Sequence, residues 1–182
     1  WGRERADALF FREIDVSRHR SAIEIGCGDG YLLRQLKDRG LTALTGIEPS
    51  SNTDRADPDG ITFINAFVDE HLQMAAPVDL IYSVAVFEHI ENINGVLAFC
   101  RNNLKPDGEL FFVVPNGQRQ LERADPALFV HQHVHHFTEH SVRRLLSAHG
   151  FSLNTLAHRD DVLCVSASLS GDPTVPSSSS GP

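Results

Sequence analysis

The segment Ser21-Ala22-Ile23-Glu24-Ile25-Gly26-Cys27-Gly28-Asp29-Gly30 decides the fold of this chain. Its first five residues form a short apolar run, which predicts a buried β-strand. The glycines at 26, 28 and 30 let the backbone turn sharply and bring a ligand close to the main chain. Leu32, Leu33 and Leu36 then share one helical face, and the start of such a helix offers free N–H groups. The segment therefore predicts a strand, a ligand-binding loop and a helix.

The spacing of the glycines argues against a nicotinamide dinucleotide as the ligand. A dinucleotide fingerprint would place its third glycine at position 31, where this chain has Tyr31. Glu48 ends a second predicted strand about 20 residues beyond the loop, where a carboxylate can accept hydrogen bonds from both ribose hydroxyls. The alternative is a solvated glutamate at a strand end. A nucleoside ligand other than NAD is favoured.

Strand and helix patterns alternate along the chain, which indicates a sheet with crossover helices. Helices are predicted after the glycine loop, across 93–104, and from Thr138 to Gly150, where the Thr138 hydroxyl can cap the first turn. The last two strands are joined too tightly for a parallel crossover, so one of them is expected to be antiparallel. The predicted strands are 21–25, 43–47, 61–64, 78–84, 109–114, 151–156 and 161–169.

Composition and charge restrict the class of partner. The 182 residues are 41% apolar with a formal net charge of −8 and no run of Lys or Arg, which argues against a nucleic-acid surface. No stretch approaches the roughly 20 apolar residues of a membrane span, and no signal-peptide pattern opens the chain, so a cytoplasmic protein without a membrane partner is expected. Cys27, Cys100 and Cys164 are scattered and are expected to be reduced thiols.

One domain is expected over residues 1–170, because that length suits a single hydrophobic core. Residues 171–182 are rich in Ser and Pro, and they are predicted to be a disordered tail or linker. The chain opens at Trp1 rather than at a methionine, which suggests a fragment of a longer protein.

Five segments in this order resemble a class I S-adenosylmethionine-dependent methyltransferase of the group that acts on small molecules. The resemblance covers 21 to about 169 and implies a Rossmann-like three-layer α/β sandwich, whose mostly parallel seven-stranded sheet has one antiparallel strand near the C-terminus. It also implies a small-molecule methyl acceptor. The segments are the glycine loop, Ile47-Glu48-Pro49, the fourth strand with Val86-Phe87-Glu88-His89-Ile90, Leu104 to Leu110, and His133 to Thr138 with Gly150-Phe151.

The same resemblance implies which residues hold S-adenosylmethionine. Glu24 and the loop, including Cys27, would line the methionine part, Glu48 would hold the ribose, and Asn65 with Ala66 would border the adenine. Many relatives have Asp where Asn65 stands. The shortened crossover at 49–60 is a second departure. The full predicted set is Glu24, Gly26, Cys27, Gly28, Gly30, Glu48, Asn65, Ala66, Ser83 and Val84.

The histidines allow several interpretations. His131, His133 and His135 have the period of one face of an extended segment and could bind zinc, act on a substrate, or form a polar loop. His89 follows the fourth strand, at the sheet edge where open α/β sheets bind ligands. The resemblance also implies that His89 and the segment 133–136 flank the methyl group. His89, His133 and His136 are therefore the candidate catalytic bases, needed if the acceptor is an alcohol or an acidic carbon. No metal is expected, because a second ligand group at zinc-finger spacing is missing from the sequence.

Two other functions remain open at this point. A nicotinamide-dependent oxidoreductase would use a similar fold, but the glycine spacing disfavours it. A non-catalytic binding module could also retain the glycine loop, because loss of activity need not disturb that loop.

Overall fold

The computed structural model describes residues 2–50, 60–125 and 133–171. It contains α1 (Arg3–Glu13), α2 (Tyr31–Asp38), α3 (Ile93–Asn103), α4 (Gly117–Glu122) and α5 (Glu139–Ala148), with 3₁₀ helices at Val16–Arg18 and Phe87–His89. The strands are β1 (Ser21–Ile25), β2 (Ala43–Ile47), β3 (Thr62–Ile64), β4 (Val78–Val84), β5 (Leu104–Pro115), β6 (Phe151–Arg159) and β7 (Val162–Leu169). The histidine at 131 and the predicted tail beyond Gly171 lie outside the described residues.

The seven strands form one sheet in the order β3-β2-β1-β4-β5-β7-β6. The pairings among β1 to β5 are parallel, whereas β7 runs antiparallel to both of its neighbours, β5 and β6. The predicted fold class, a mostly parallel seven-stranded sheet with one antiparallel strand near the C-terminus, is confirmed. The chain moves outward from β1 in one direction and from β4 in the other. This change of direction opens a crevice at the carboxyl ends of β1 and β4.

Helices cover both faces of the sheet because successive strand residues point to opposite sides. On one face, Ile23 and Phe112 pack with side chains of α3 and α5. On the other face, Phe111 packs with α1 and α2. The result is a three-layer arrangement with the sheet in the middle. In the part of the chain that is described, no helix has the length and apolar character needed to cross a bilayer.

The start of α5 agrees with the cap predicted from sequence. The Thr138 hydroxyl accepts a hydrogen bond from Ser141 N, and the Ser141 hydroxyl accepts one from Thr138 N. Phe137 before the cap and Val142 in the first turn are both buried in the same cluster. The capped start of α5 fixes the position of the preceding segment, 133–137, which approaches the crevice at the carboxyl ends of β1 and β4.

Helix α4 was not predicted from the sequence, and two further features of the fold also differ from the prediction. Helix α1 was not predicted, although Ala6, Phe10 and Ile14 have helical spacing; Phe10 is fully buried against Tyr82 and Phe111. Strand β5 begins at Leu104, before the predicted start of this strand at residue 109. Leu104 pairs with Val78 of β4, whereas Glu109 pairs with Leu80, so the register shifts between these two pairs. The extra residues of β5 form an irregularity in the strand.

Candidate active site

A cavity of about 680 Å³ lies at the carboxyl ends of β1, β2 and β4, where the sheet order changes direction. This volume is in the range of small-molecule sites. Residues from four segments line the cavity, among them Gly26, Glu48, Ala66, Phe67, Val86 and His89. The cavity therefore brings the glycine loop, the end of β2 and the segment after β4 to one place.

The glycines of the loop are required for different reasons. Gly26, Gly28 and Gly30 all have positive φ values, of 74°, 53° and 77°. A side chain at Gly26 would collide with Val86, and one at Gly30 would collide with the ring of Phe63. No atom lies within 4 Å of the position that a Cβ would take at Gly28. Gly28 is thus the glycine that leaves open space for a ligand.

Val86 covers Gly26 because the backbone turns abruptly at the end of β4. Ala85 has a φ of 55°, a left-handed conformation that is unusual for a residue with a side chain. Its N–H donates a hydrogen bond to the Val113 carbonyl at 2.8 Å, which holds the turn against β5. The turn directs the chain into the 3₁₀ helix that carries His89.

Glu48 is fixed at the edge of the cavity. Its Oε2 accepts a hydrogen bond from Gly28 N at 3.2 Å and its Oε1 accepts one from Ser50 N at 3.1 Å. Ala66 lines the cavity, whereas Asn65 is exposed and its Nδ2 donates to the Ser50 carbonyl at 3.4 Å. Of the residues predicted beside an adenine, Ala66 therefore faces the cavity directly.

Three other predicted cofactor residues have side chains in structural positions. Cys27 is buried among the residues that pack under the loop, and burial raises the pKa of its thiol to about 12. The Ser83 hydroxyl is buried and donates to the Ile25 carbonyl at 3.0 Å, which links β4 to β1. Val84 packs against the core cluster on the α1 and α2 face. Their contribution to a ligand site would come from the backbone.

Glu24 is an acidic group with little access to solvent. It is 5% exposed, and its Oε2 accepts a hydrogen bond from the Tyr82 hydroxyl at 3.0 Å. Burial raises the pKa of Glu24 to about 8; repulsion from Asp29 and Glu48 adds to the rise, and the Tyr82 hydrogen bond opposes it. Burial and the two neighbouring carboxylates thus favour the neutral form of Glu24, whereas a cation near the loop would favour its ionised form.

The structure brings two of the three candidate catalytic histidines together. The rings of His89 and His133 meet edge to face, with centroids 4.8 Å apart. Partial burial and the neighbouring imidazoles of His89 and His136 lower the pKa of His133. His136 is exposed, and its Cβ and backbone lie close to Gly117. His135, which shares its side of the segment with His133, places Nε2 at 2.9 Å from the Ile90 carbonyl.

Sequence reasoning missed several side chains at this site. Glu88 is 1% exposed, although the next residue, His89, is exposed in the same short helix. Phe67 has 80% of its surface exposed and lines the cavity beside Ala66. The apolar residues continuing after β3 were a usable signal for Phe67, whereas nothing in the local sequence distinguishes Glu88 from an exposed acid.

Residues 4–156 match a family model described as a methyltransferase domain. This chain belongs to the methyltransferase domain family. The curated ubiquinone biosynthesis O-methyltransferase of Salmonella paratyphi A is 29% identical to it over 120 residues, which make up 62% of this chain and 46% of the relative. The chain spans about half the length of the curated relatives that it matches.

Solved structures of methyltransferases share the fold. An S-adenosylmethionine-dependent methyltransferase from Mesorhizobium loti has a TM-score of 0.71 at 18% identity, covering 89% of this chain and 96% of that one. The magnesium protoporphyrin IX methyltransferase from Synechocystis PCC 6803 with bound SAH has a TM-score of 0.65 at 16% identity, covering 92% and 81%. With the family match, the predicted resemblance to class I S-adenosylmethionine-dependent methyltransferases is confirmed. The match favours this family over a nicotinamide-dependent oxidoreductase.

Proposed function

We propose that this methyltransferase domain transfers a methyl group from S-adenosylmethionine to a hydroxyl of a small-molecule acceptor. The observation that carries the proposal is the open glycine loop surrounded by Glu24, Asp29 and Glu48, whose mutual repulsion helps to raise the pKa of Glu24. A fixed sulfonium cation in the cavity would relieve that repulsion. The hydroxyl is suggested by relatives that are named O-methyltransferases.

The cavity and the adjoining glycine loop offer a separate contact for each part of the cofactor. The open backbone at Gly28 would accept the methionine part, and the carboxylate of Glu48 would accept hydrogen bonds from the ribose. The exposed ring of Phe67 beside Ala66 offers an aromatic face for the adenine. This placement puts the methyl group toward the segment after β4, where His89 lies.

The acceptor would lie over the carboxyl edge of the sheet, between His89 and the segment 133–136. In the reaction, a lone pair of the acceptor oxygen attacks the methyl carbon as the carbon–sulfur bond breaks and sulfur keeps that electron pair. The main task of the protein is to align the oxygen, carbon and sulfur at attack distance. His89, His133 and His136 are the proposed acceptors of the hydroxyl proton.

The proposed activity is tested with cofactor carrying a radioactive methyl group. Calorimetry first measures the binding of S-adenosylmethionine, with NADH as the negative control. Labelled product is then sought with panels of phenols, sugars and carboxylic acids. Product from a hydroxyl compound is the expected result. Cofactor binding without transfer to any panel would contradict the proposed activity and support a non-catalytic binding module.

Cofactor affinity should rise with pH because of Glu24. A bound cation favours the ionised carboxylate, so binding to the protonated form must release a proton. Affinity then increases with pH until the free carboxyl ionises near pH 8, by at most about tenfold per pH unit. We expect about a tenfold gain in S-adenosylmethionine affinity between pH 6.5 and 8.5, measured by calorimetry.

Two controls isolate the contribution of Glu24. In Glu24→Gln the part of the pH-dependent gain that is due to Glu24 should disappear. The ionisable groups of the cofactor contribute equally to both proteins, so the difference between wild type and variant excludes them. S-adenosylhomocysteine lacks the sulfonium charge and should show a weaker dependence on pH with the wild-type protein. An equal pH dependence in Glu24→Gln and the wild type would show that Glu24 is not coupled to the cation.

We also propose the cytoplasm as the compartment. Cys27, Cys100 and Cys164 are all buried and unpaired. Reducing compartments keep such thiols free, whereas oxidising ones favour disulfides. Fractionation of cells that make the protein at its native level is the test.

A further inference from the structure

We propose that Glu88, His89 and His133 bind a divalent metal ion at the acceptor side of the cavity. One ligand atom from each of these residues lies within 4.8 Å of those from the other two. A carboxylate with two imidazoles is a ligand set of catalytic zinc sites, which leave the fourth position open for water or substrate. His89 also lines the cavity, so an open position there is accessible to an acceptor.

The state of Glu88 is the observation that points to a ligand. Its side chain is almost fully buried, yet within the described part of the chain its Oε2 has no hydrogen-bond partner. Buried polar atoms nearly always have a partner, because leaving one unsatisfied is costly. Oε1 is directed toward the ring of His89, with Nε2 at 3.9 Å. A cation between the carboxylate and the imidazoles, bound by both oxygens of Glu88, would satisfy the orphaned Oε2.

Backbone hydrogen bonds hold the ligands in place from two distant parts of the chain. The Glu88 carbonyl accepts hydrogen bonds from Val134 N at 2.8 Å and from His135 N at 3.2 Å. The contact of His135 with the Ile90 carbonyl adds a third link between the same two segments. These bonds bring His133 to His89 and leave the exposed Val134 side chain outside. The relative positions of the three ligand residues are thus set by the backbone fold, and not by side-chain rotation alone.

The catalytic role of the metal ion, unlike its binding, rests on the proposed function of methyl transfer to a hydroxyl. An ion with an open position can bind the acceptor hydroxyl and lower its pKa, as metal ions do for bound water. The hydroxyl proton would leave to solvent, and the resulting oxygen anion would form the bond to the methyl carbon. In that case no histidine needs to act as the base. This proposal departs from the expectation of no metal, which rested on spacing along the chain.

The first test is direct metal binding without cofactor or acceptor. Untagged protein is stripped with EDTA and dialysed, then titrated with Zn²⁺ in a calorimeter, and bound zinc is counted by mass spectrometry. We expect about one ion per chain and at least about tenfold weaker binding in Glu88→Gln and in His133→Gln, as for a lost ligand in a structured site. Circular dichroism checks that each variant is folded. His133 is only partly buried, so its variant covers the case in which Glu88→Gln does not fold.

His71→Gln is the matched control. His71 also follows a glutamate, and its Nε2 lies 3.6 Å from Oε1 of Glu70, but this pair is on the exposed surface. Zinc binding by His71→Gln should equal that of the wild type. Unchanged zinc binding in both Glu88→Gln and His133→Gln would overturn the site. Loss of zinc on His131→Gln with no loss on Glu88→Gln would also overturn it, in favour of a histidine-only set.

A second measurement separates the metal site from the methyl transfer. Replacing Zn²⁺ with Co²⁺ gives visible absorption bands that should shift in Glu88→Gln, whatever the activity of the protein. If this spectrum behaves as expected but no acceptor is methylated, the metal site stands and the proposed function fails. If metal-free protein methylates an acceptor at the full rate, the proposed function stands and the metal role fails.

Discussion

Gly28→Val should abolish the binding of S-adenosylmethionine while the domain stays folded. The position of a Cβ at Gly28 is open, with no atom within 4 Å, so a valine fits the protein but fills the space proposed for the cofactor. The hydrogen bond from the residue 28 amide to the Glu48 carboxylate can be retained, because residue 28 contributes only its backbone N–H. We expect affinity to fall by at least about a hundredfold, measured by calorimetry.

Gly40→Val provides the control for backbone strain. Gly40 follows α2, has a φ of 95° and also has no atom within 4 Å of its Cβ position. Both variants force a β-branched residue into a left-handed conformation, so both should lose similar thermal stability. Only Gly28→Val should lose cofactor affinity. Equal affinities in the two variants would place the cofactor away from the loop.

Substitution of the candidate histidines should have a comparably large effect on catalysis. Gln replaces His89, His133 and His136 in turn, and methyl transfer is followed in a single turnover with saturating cofactor. We expect the rate to fall by about a hundredfold or more at one position at least, which is the scale of a lost general base. Cofactor affinity should barely change, because the proposed place of these histidines is beside the acceptor and not at the glycine loop.

The pattern of these losses distinguishes a base from a metal ligand. A loss confined to one histidine assigns it as the base. Parallel losses at His89, His133 and Glu88, with His136 unaffected, assign the effect to the metal site. His140→Gln is the control, because His140 is exposed on α5. Wild-type rates in all three histidine variants would show that these residues are structural and that alignment alone drives the reaction.

Much of the fold could be predicted because its signals are local. The apolar run of β1, the glycines after it and the Thr138 cap each act within a few residues of where they lie. The short connection between β6 and β7 likewise required an antiparallel strand. Helix α1 escaped prediction because its weak pattern is stabilised by contacts of Phe10 with Tyr82 and Phe111, far along the chain.

The sequence by itself determined the glycine loop and the acidic residue at the end of β2, since loop geometry and strand order follow from nearby residues. Only the tertiary structure decided which side chains face the cavity: Cys27 and Ser83 turn into the interior, whereas Phe67 turns outward. It also decided the surroundings of Glu88, because the backbone bonds from Val134 and His135 join segments more than 40 residues apart. Burial and long-range contact depend on how the layers pack, and no local pattern contains that information.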